Sequence, residues 1–177
     1  GGQMTLAHLK GYTNYLGEPL NLVANNQDIN FSFTTLDGRT LNTADLYFTP
    51  ELTEANGQNV LMLKAALNQN QWIAFRYALM PNDFMVDFSI RSSGMQGVIN
   101  QNIDQNLSWD LKAFRNSRSV EYENRYTELT YGYEGEKVNE LSITGEDEEQ
   151  LEDVQWIGYK QHFFNSILIP ATSIGTA

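Results

Sequence analysis

Two histidines, His8 and His162, are the only side chains whose ordinary pKa suits proton transfer near neutral pH. Brought together on neighbouring strands, they would supply an acid and a base for ring chemistry on a sugar. No carboxylate is placed in sequence to orient either imidazole, so each reads as an isolated, partly exposed strand residue. Neither has a second ligand at the short spacing a metal site needs. The acids Glu146, Asp147, Glu148, Glu149, Glu152 and Asp153 form the densest charge in the chain. A calcium loop alternates its oxygen ligands and turns on a glycine within the loop. Here the acids are contiguous and Gly145 precedes them, which reads as a solvated, mobile loop that guards a neighbouring strand edge. Trp72, Trp109 and Trp156 have the ring size to stack on a sugar, but each lies in a strand-like run and reads as core or inter-sheet packing. G-x-S-x-G, G-x-G-x-x-G and P-loop patterns are absent, and no Ser or Thr has a partner base. The residues nominate no catalytic group, no metal site and no cofactor, and they single out no binding residue.

Composition narrows the partners. A net charge of -11, from 22 acids against 11 bases, repels phosphate backbones and anionic headgroups, which argues against nucleic acid. Cysteine is absent, excluding disulfides and thiolate metal sites. No apolar run approaches the ~20 residues that cross a bilayer. The chain opens at Gly1 with neither an initiator Met nor a signal peptide, as expected of a piece of a longer protein or a mature secreted domain. Its 177 residues predict one domain.

The elements that would position these groups are strands. Ile29, Phe31 and Phe33 alternate with polar residues, and Asp37-Gly38 follows as a hairpin signal. Val60 to Leu67 is a near-continuous apolar run, and Asn68-Gln69-Asn70 turns it. In Gln71 to Leu79, Ile73, Phe75, Tyr77 and Leu79 share a face. Phe84, Val86, Phe88 and Ile90 do the same after Pro81-Asn82-Asp83, and so do Leu107, Trp109 and Leu111. Tyr126 to Tyr133 and Lys137 to Ile143 follow, separated by Glu134-Gly135. No window carries a helical stripe over three turns, and Gln96 to Gln105 reads as a loop, with one short turn of helix as the alternative. About ten antiparallel strands and little helix predict an all-β sandwich. The apolar run Val154 to Pro170 reads as a pair of late strands, covered on both faces, and the polar break Lys160-Gln161-His162 argues against a membrane anchor. Ile167 to Ile169 is expected at or near a sheet edge. Ala171 to Ala177 carries no charge to protect that edge, so weak self-association is expected at high concentration.

Gly1-Gly2-Gln3-Met4 with Leu6, Leu9 and Tyr12 resembles the first strand of the periplasmic domain of bacterial YidC-type (YidC/Oxa family) membrane protein insertases. Gly17-Glu18-Pro19-Leu20 and Leu36-Asp37-Gly38-Arg39 are similar to the turns that follow there. Trp156 to Gln161, Phe163-Phe164 and Leu168-Ile169-Pro170 are similar to its late segment. The resemblance runs over essentially the whole chain. It implies a mutarotase-like β-supersandwich on the periplasmic side of the inner membrane, held between the first two transmembrane helices of a membrane-embedded parent. The implied function is non-enzymatic help in inserting and folding inner-membrane proteins, through contact with translocon subunits or nascent membrane proteins. The family's insertion chemistry lies in its membrane helices, so no functional residue carries over. Family members continue through further strands where this chain stops, which implies a fragment truncated at its C-terminal end. The alternatives from the residues alone are a secreted carbohydrate-binding domain and a mutarotase-like enzyme.

Overall fold

The computed structural model describes residues 2–142 and 144–177, and most of its regular structure is strand. In chain order the strands are β1 (Leu6–Thr13), β2 (Pro19–Ala24), β3 (Gln27–Thr34), β4 (Thr40–Asn42), β5 (Thr49–Ala55), β6 (Gln58–Ala66) and β7 (Trp72–Leu79). Then come β8 (Val86–Ser93), β9 (Asn106–Leu111), β10 (Glu128–Tyr133), β11 (Lys137–Glu140), β12 (Glu152–Lys160), β13 (Asn165–Leu168) and β14 (Ile174–Thr176). Among the described residues, one short α-helix, α1 (Val120–Asn124), precedes β10, and single 3-10 turns lie at Thr43–Asp45 and Met95–Gly97. The expected all-β, antiparallel class is therefore present, with more and shorter strands than the alternation suggests.

The chain forms two compact units. The first joins the N-terminal residues up to Met4 with Asp28–Asp110. Its larger sheet is a four-stranded meander, β5-β6-β7-β8, whose register runs unbroken from Ala66↔Trp72 to Asn59↔Leu79 and from Trp72↔Ser93 to Leu79↔Val86. β7 is central and buries both faces: Ile73 and Phe75 on one side, Ala74 and Ala78 on the other. Small residues on the second face let whatever covers it approach closely. Phe75 stacks on Phe48 at 5.2 Å and meets the edge of Phe88 at 5.5 Å. A second sheet has the order β4-β3-β9. Buried Thr43 ties its β3 down, its hydroxyl accepting from the Phe31 N–H at 2.9 Å.

The second unit joins Thr5–Gln27 with Leu111–Ala177. It holds the β1-β2 hairpin and a five-stranded sheet in the order β11-β10-β12-β13, with β14 also on β12. Tyr131, Leu151 and Val154 are its buried centre, flanked by Leu129, Ile157 and Ile174. One extra residue at Gln155 bulges β12 between the pairs Gly132↔Trp156 and Tyr133↔Val154, and Asp153 takes a φ of 54° beside it.

Several expectations are corrected. β8 begins at Val86, leaving Phe84 81% exposed in the turn rather than in the strand. α1 was not anticipated: five residues are too few for a helical stripe, although Ser119 caps it by accepting from the Tyr122 N–H at 3.2 Å. The strand expected over Lys137 to Ile143 ends at Glu140, and Ile143 lies outside the described residues. Within Val154 to Pro170, β12 is central and well covered, but β13 is not covered on both faces. β13 alternates exposed with half-buried residues, Ile167 is 48% exposed, and the strand ends the sheet order. The edge position expected for this segment is present at Ile167 and Leu168, while Ile169 lies just beyond the strand.

Candidate binding groove

The two histidines occupy unlike settings. His8 is exposed in β1, within the two-stranded sheet. His162 is not a strand residue as expected. It sits with Phe163 in a two-residue turn, closed by the Gln161 N–H donating to the Phe164 carbonyl at 2.9 Å. Its imidazole stacks on Tyr126 at 4.7 Å and meets Tyr122 edge-on at 5.0 Å, which makes it a packing residue of an aromatic cluster. Among the described residues, no carboxylate hydrogen-bonds to either ring.

The three tryptophans lie in three different sheets and each is half-buried rather than core. Trp72 carries the Lys64 ammonium 4.8 Å above its ring. Trp156 lies across Gly132, where an added Cβ would stand 2.2 Å from the indole nitrogen. The acidic segment is solvent-exposed as expected, but it is tethered. Asp147 accepts from the Ser142 N–H at 2.8 Å, and Glu149 accepts from the Tyr131 hydroxyl. Glu152 and Asp153 belong to β12, not to the loop. Burial pushes the Tyr131 phenol up to about 12, and the Glu149 carboxylate adds to the shift. A buried carboxylate that sequence reasoning passed over, Glu123, accepts from the Asn116 N–H at 2.9 Å and the Ser117 N–H at 3.1 Å. It pins the segment before α1.

Concave surface is more informative than any of these side chains. In the first unit a cavity of about 480 Å³ opens beside β7 and β8. Phe31, Ile73, Ile90, Met95 and Ile99 give it an apolar lining, with Ile73 and Met95 almost fully buried. Arg91, Gln96, Gln101 and Asp104 contribute polar groups to the same lining, and all four are exposed. Gly94 makes this shape possible. Its φ is 61°, and a Cβ there would fall 2.4 Å from the Asn70 carbonyl oxygen, so only glycine lets the chain leave β8 and drive Met95 inward. The strand pattern foretold Ile73 and Ile90, but nothing local in the sequence marked the 95–105 segment as a wall.

A smaller cavity of about 250 Å³ lies in the second unit, lined by Thr127, Leu129, Tyr159 and Gln161. Glu128 and Lys160 also line it, but they pair with each other at 2.6 Å across β10 and β12. That hydrogen bond holds the Lys160 ammonium above its ordinary pKa, so both charges are already spent.

The sequence profile described as the YidC periplasmic domain matches residues 1–176. A protein named membrane protein insertase YidC from Parabacteroides distasonis is 33% identical over 172 residues, covering 96% of this chain and 27% of that protein. Its namesake from Phocaeicola vulgatus is 35% identical with the same coverage. The one from Chlorobium phaeovibrioides is 26% identical over 187 residues, covering 99% of this chain and 32% of that protein. The chain thus spans about a quarter to a third of the length of these curated relatives. No solved structure matches it.

Proposed function

This chain belongs to the YidC periplasmic-domain family, on the periplasmic side of the bacterial inner membrane, and from that premise we propose that it is a non-enzymatic module of a membrane protein insertase. It assists insertion and folding by contacting nascent membrane proteins, with translocon subunits as further partners. The observation that carries this reading is the family match over residues 1–176 together with the name shared by its relatives. The apolar cavity in the first unit supports it physically. Six apolar side chains line that cavity, Ile103 among them, and such a surface suits contact with apolar chain. One domain within a longer, membrane-embedded protein is the organisation this reading entails.

The test uses the full-length parent protein. A photo-crosslinking amino acid at Ile103, at the mouth of the cavity, should capture a membrane protein arrested during insertion, and removing the domain should slow insertion of that client into vesicles. Insertion at an unchanged rate, without a crosslink, would overturn the proposal. The sugar-active alternative has its own measurement: α-glucose mutarotation faster than buffer, and lost in His162→Ala, would restore it.

A further inference from the structure

β8 ends the order β5-β6-β7-β8, so one side of its backbone has no strand partner within that sheet. Ile90, Arg91 and Ser92, three consecutive residues of this strand, all line the 480 Å³ cavity. Consecutive strand residues point to opposite faces. A cavity lined by all three therefore reaches around the strand edge, bringing the unpaired N–H and C=O groups into the same concavity as the apolar lining. Charge is denser on two other edges: β5 has Pro50, Glu51 and Glu54 in seven residues and β11 has Lys137 and Glu140 in four, against Asp87 and Arg91 in the eight of β8. β13 is uncharged but lines neither of the two cavities described above.

Charge sets the chemistry of the occupant. The first unit has nine carboxylates against four cations, a balance of -5. Asp104 and Arg91 both line the cavity, neither with an ion-pair partner among the described residues, so it is the unit's excess of carboxylates that sets the sign of the surrounding field. We infer that β8 and this cavity together form a docking groove for an extended apolar segment with a basic flank. The segment adds a strand to β8, seats alternate side chains against Ile90, Met95 and Ile99, and sets its cation near Asp104. Strand addition takes affinity from the main chain and selectivity from the pocket, so many apolar sequences fit while acidic ones are rejected. The inference deepens the proposed contact with nascent chains and rests on that reading for its biological meaning.

The probe is a fluorescein-labelled heptapeptide, Lys-Leu-Val-Ile-Val-Leu-Lys, titrated against this chain by anisotropy. Saturable micromolar binding is expected. N-methylation at alternate residues keeps the side chains but removes the strand hydrogen bonds, and should weaken binding by about tenfold or more. Ile103→Lys removes an apolar lining residue and puts a like charge beside Asp104 at an exposed position, so the fold is retained, and it should weaken binding by a similar factor, about tenfold. Exchanging both peptide lysines for aspartate should weaken binding as well. Equal binding of the N-methylated peptide would overturn strand addition, and equal binding to the Ile103→Lys chain would overturn the site. Absence of saturable binding would remove both, and a dimer broken by Ile103→Lys would assign the groove to a second copy instead. Peptide binding combined with insertion indifferent to loss of the domain would leave the groove standing and remove the proposed function. Impaired insertion without peptide binding would do the reverse.

Discussion

Gly132 and Trp156 face each other across β10 and β12, and each explains the other. The indole covers a glycine whose missing side chain leaves room for it, so the pair shields the sheet where either alone would expose it. Trp156→Ala should cost about 3 kcal/mol, the low end for such truncations because the ring is half-buried, read as a lower urea midpoint. Gly132→Ala should also destabilise the parent chain, but much less in the Trp156→Ala background. The double-mutant cycle should return a coupling of about 1–3 kcal/mol, and additive effects would refute the packing account. Tyr131 makes a second prediction. Its phenol is pushed up to about 12 in the folded state, against about 10 in the unfolded chain. The native state therefore holds its proton more tightly, and the stability linked to it is complete below pH 10 and lost as pH rises toward 12. Tm measured from pH 9 to 12 should fall, and Tyr131→Phe should flatten part of that fall; an identical slope in the variant would reject the assignment. Tyr77, also raised to about 12 by burial, supplies a remaining part.

At the scale of elements, the informative feature is how each sheet ends. β13 pairs with β12 on one side only, carries no charge, and presents Ile167 at 48% exposure. Unpaired backbone beside exposed apolar side chains favours pairing with another molecule. Sedimentation at millimolar concentration should detect weak association of this chain, and Ile167→Lys should abolish it; a chain monomeric throughout would show that the edge is already protected. β5, although its seven residues are all exposed, should not contribute, because Pro50 removes a donor and Glu51 and Glu54 repel a second acidic copy. The same exposure explains why β5 left no alternation to read in the sequence. A strand with no buried face has no reason to alternate.

For the whole molecule the dominant quantity is charge. At -11 near neutral pH, copies repel one another, and that repulsion vanishes near the sequence pI of about 4.5. Solubility should pass through a minimum close to that pH and recover above pH 6. Turbidity across a pH series checks this, and a flat profile would mean that apolar edges rather than net charge govern association. The same charge predicts that salt weakens binding of basic-flanked segments more than that of neutral ones.

The sequence by itself determined the class of the fold. Period-two alternation in Phe31 and Phe33, in Ile73 to Tyr77 and in Phe88 to Ile90 reflects one-sided or two-sided burial, which local residue order records directly. The resemblance at both ends pointed to the family that the comparison then established. Tertiary structure decided what depends on residues distant in the chain. That His162 stacks on Tyr126 and meets Tyr122 edge-on, that Tyr131 ties down Glu149, and that the carbonyl of Asn70 leaves no room for a Cβ at Gly94 are all contacts across long sequence separations. The groove is of the same kind. Phe31, Ile73 and Ile90 come from three separate strands and each reads locally as an ordinary core residue, while Ile99 comes from a segment that reads as a loop. A cavity is the place where such residues fail to meet, and that failure is set by how strands and turns pack, which no local pattern encodes.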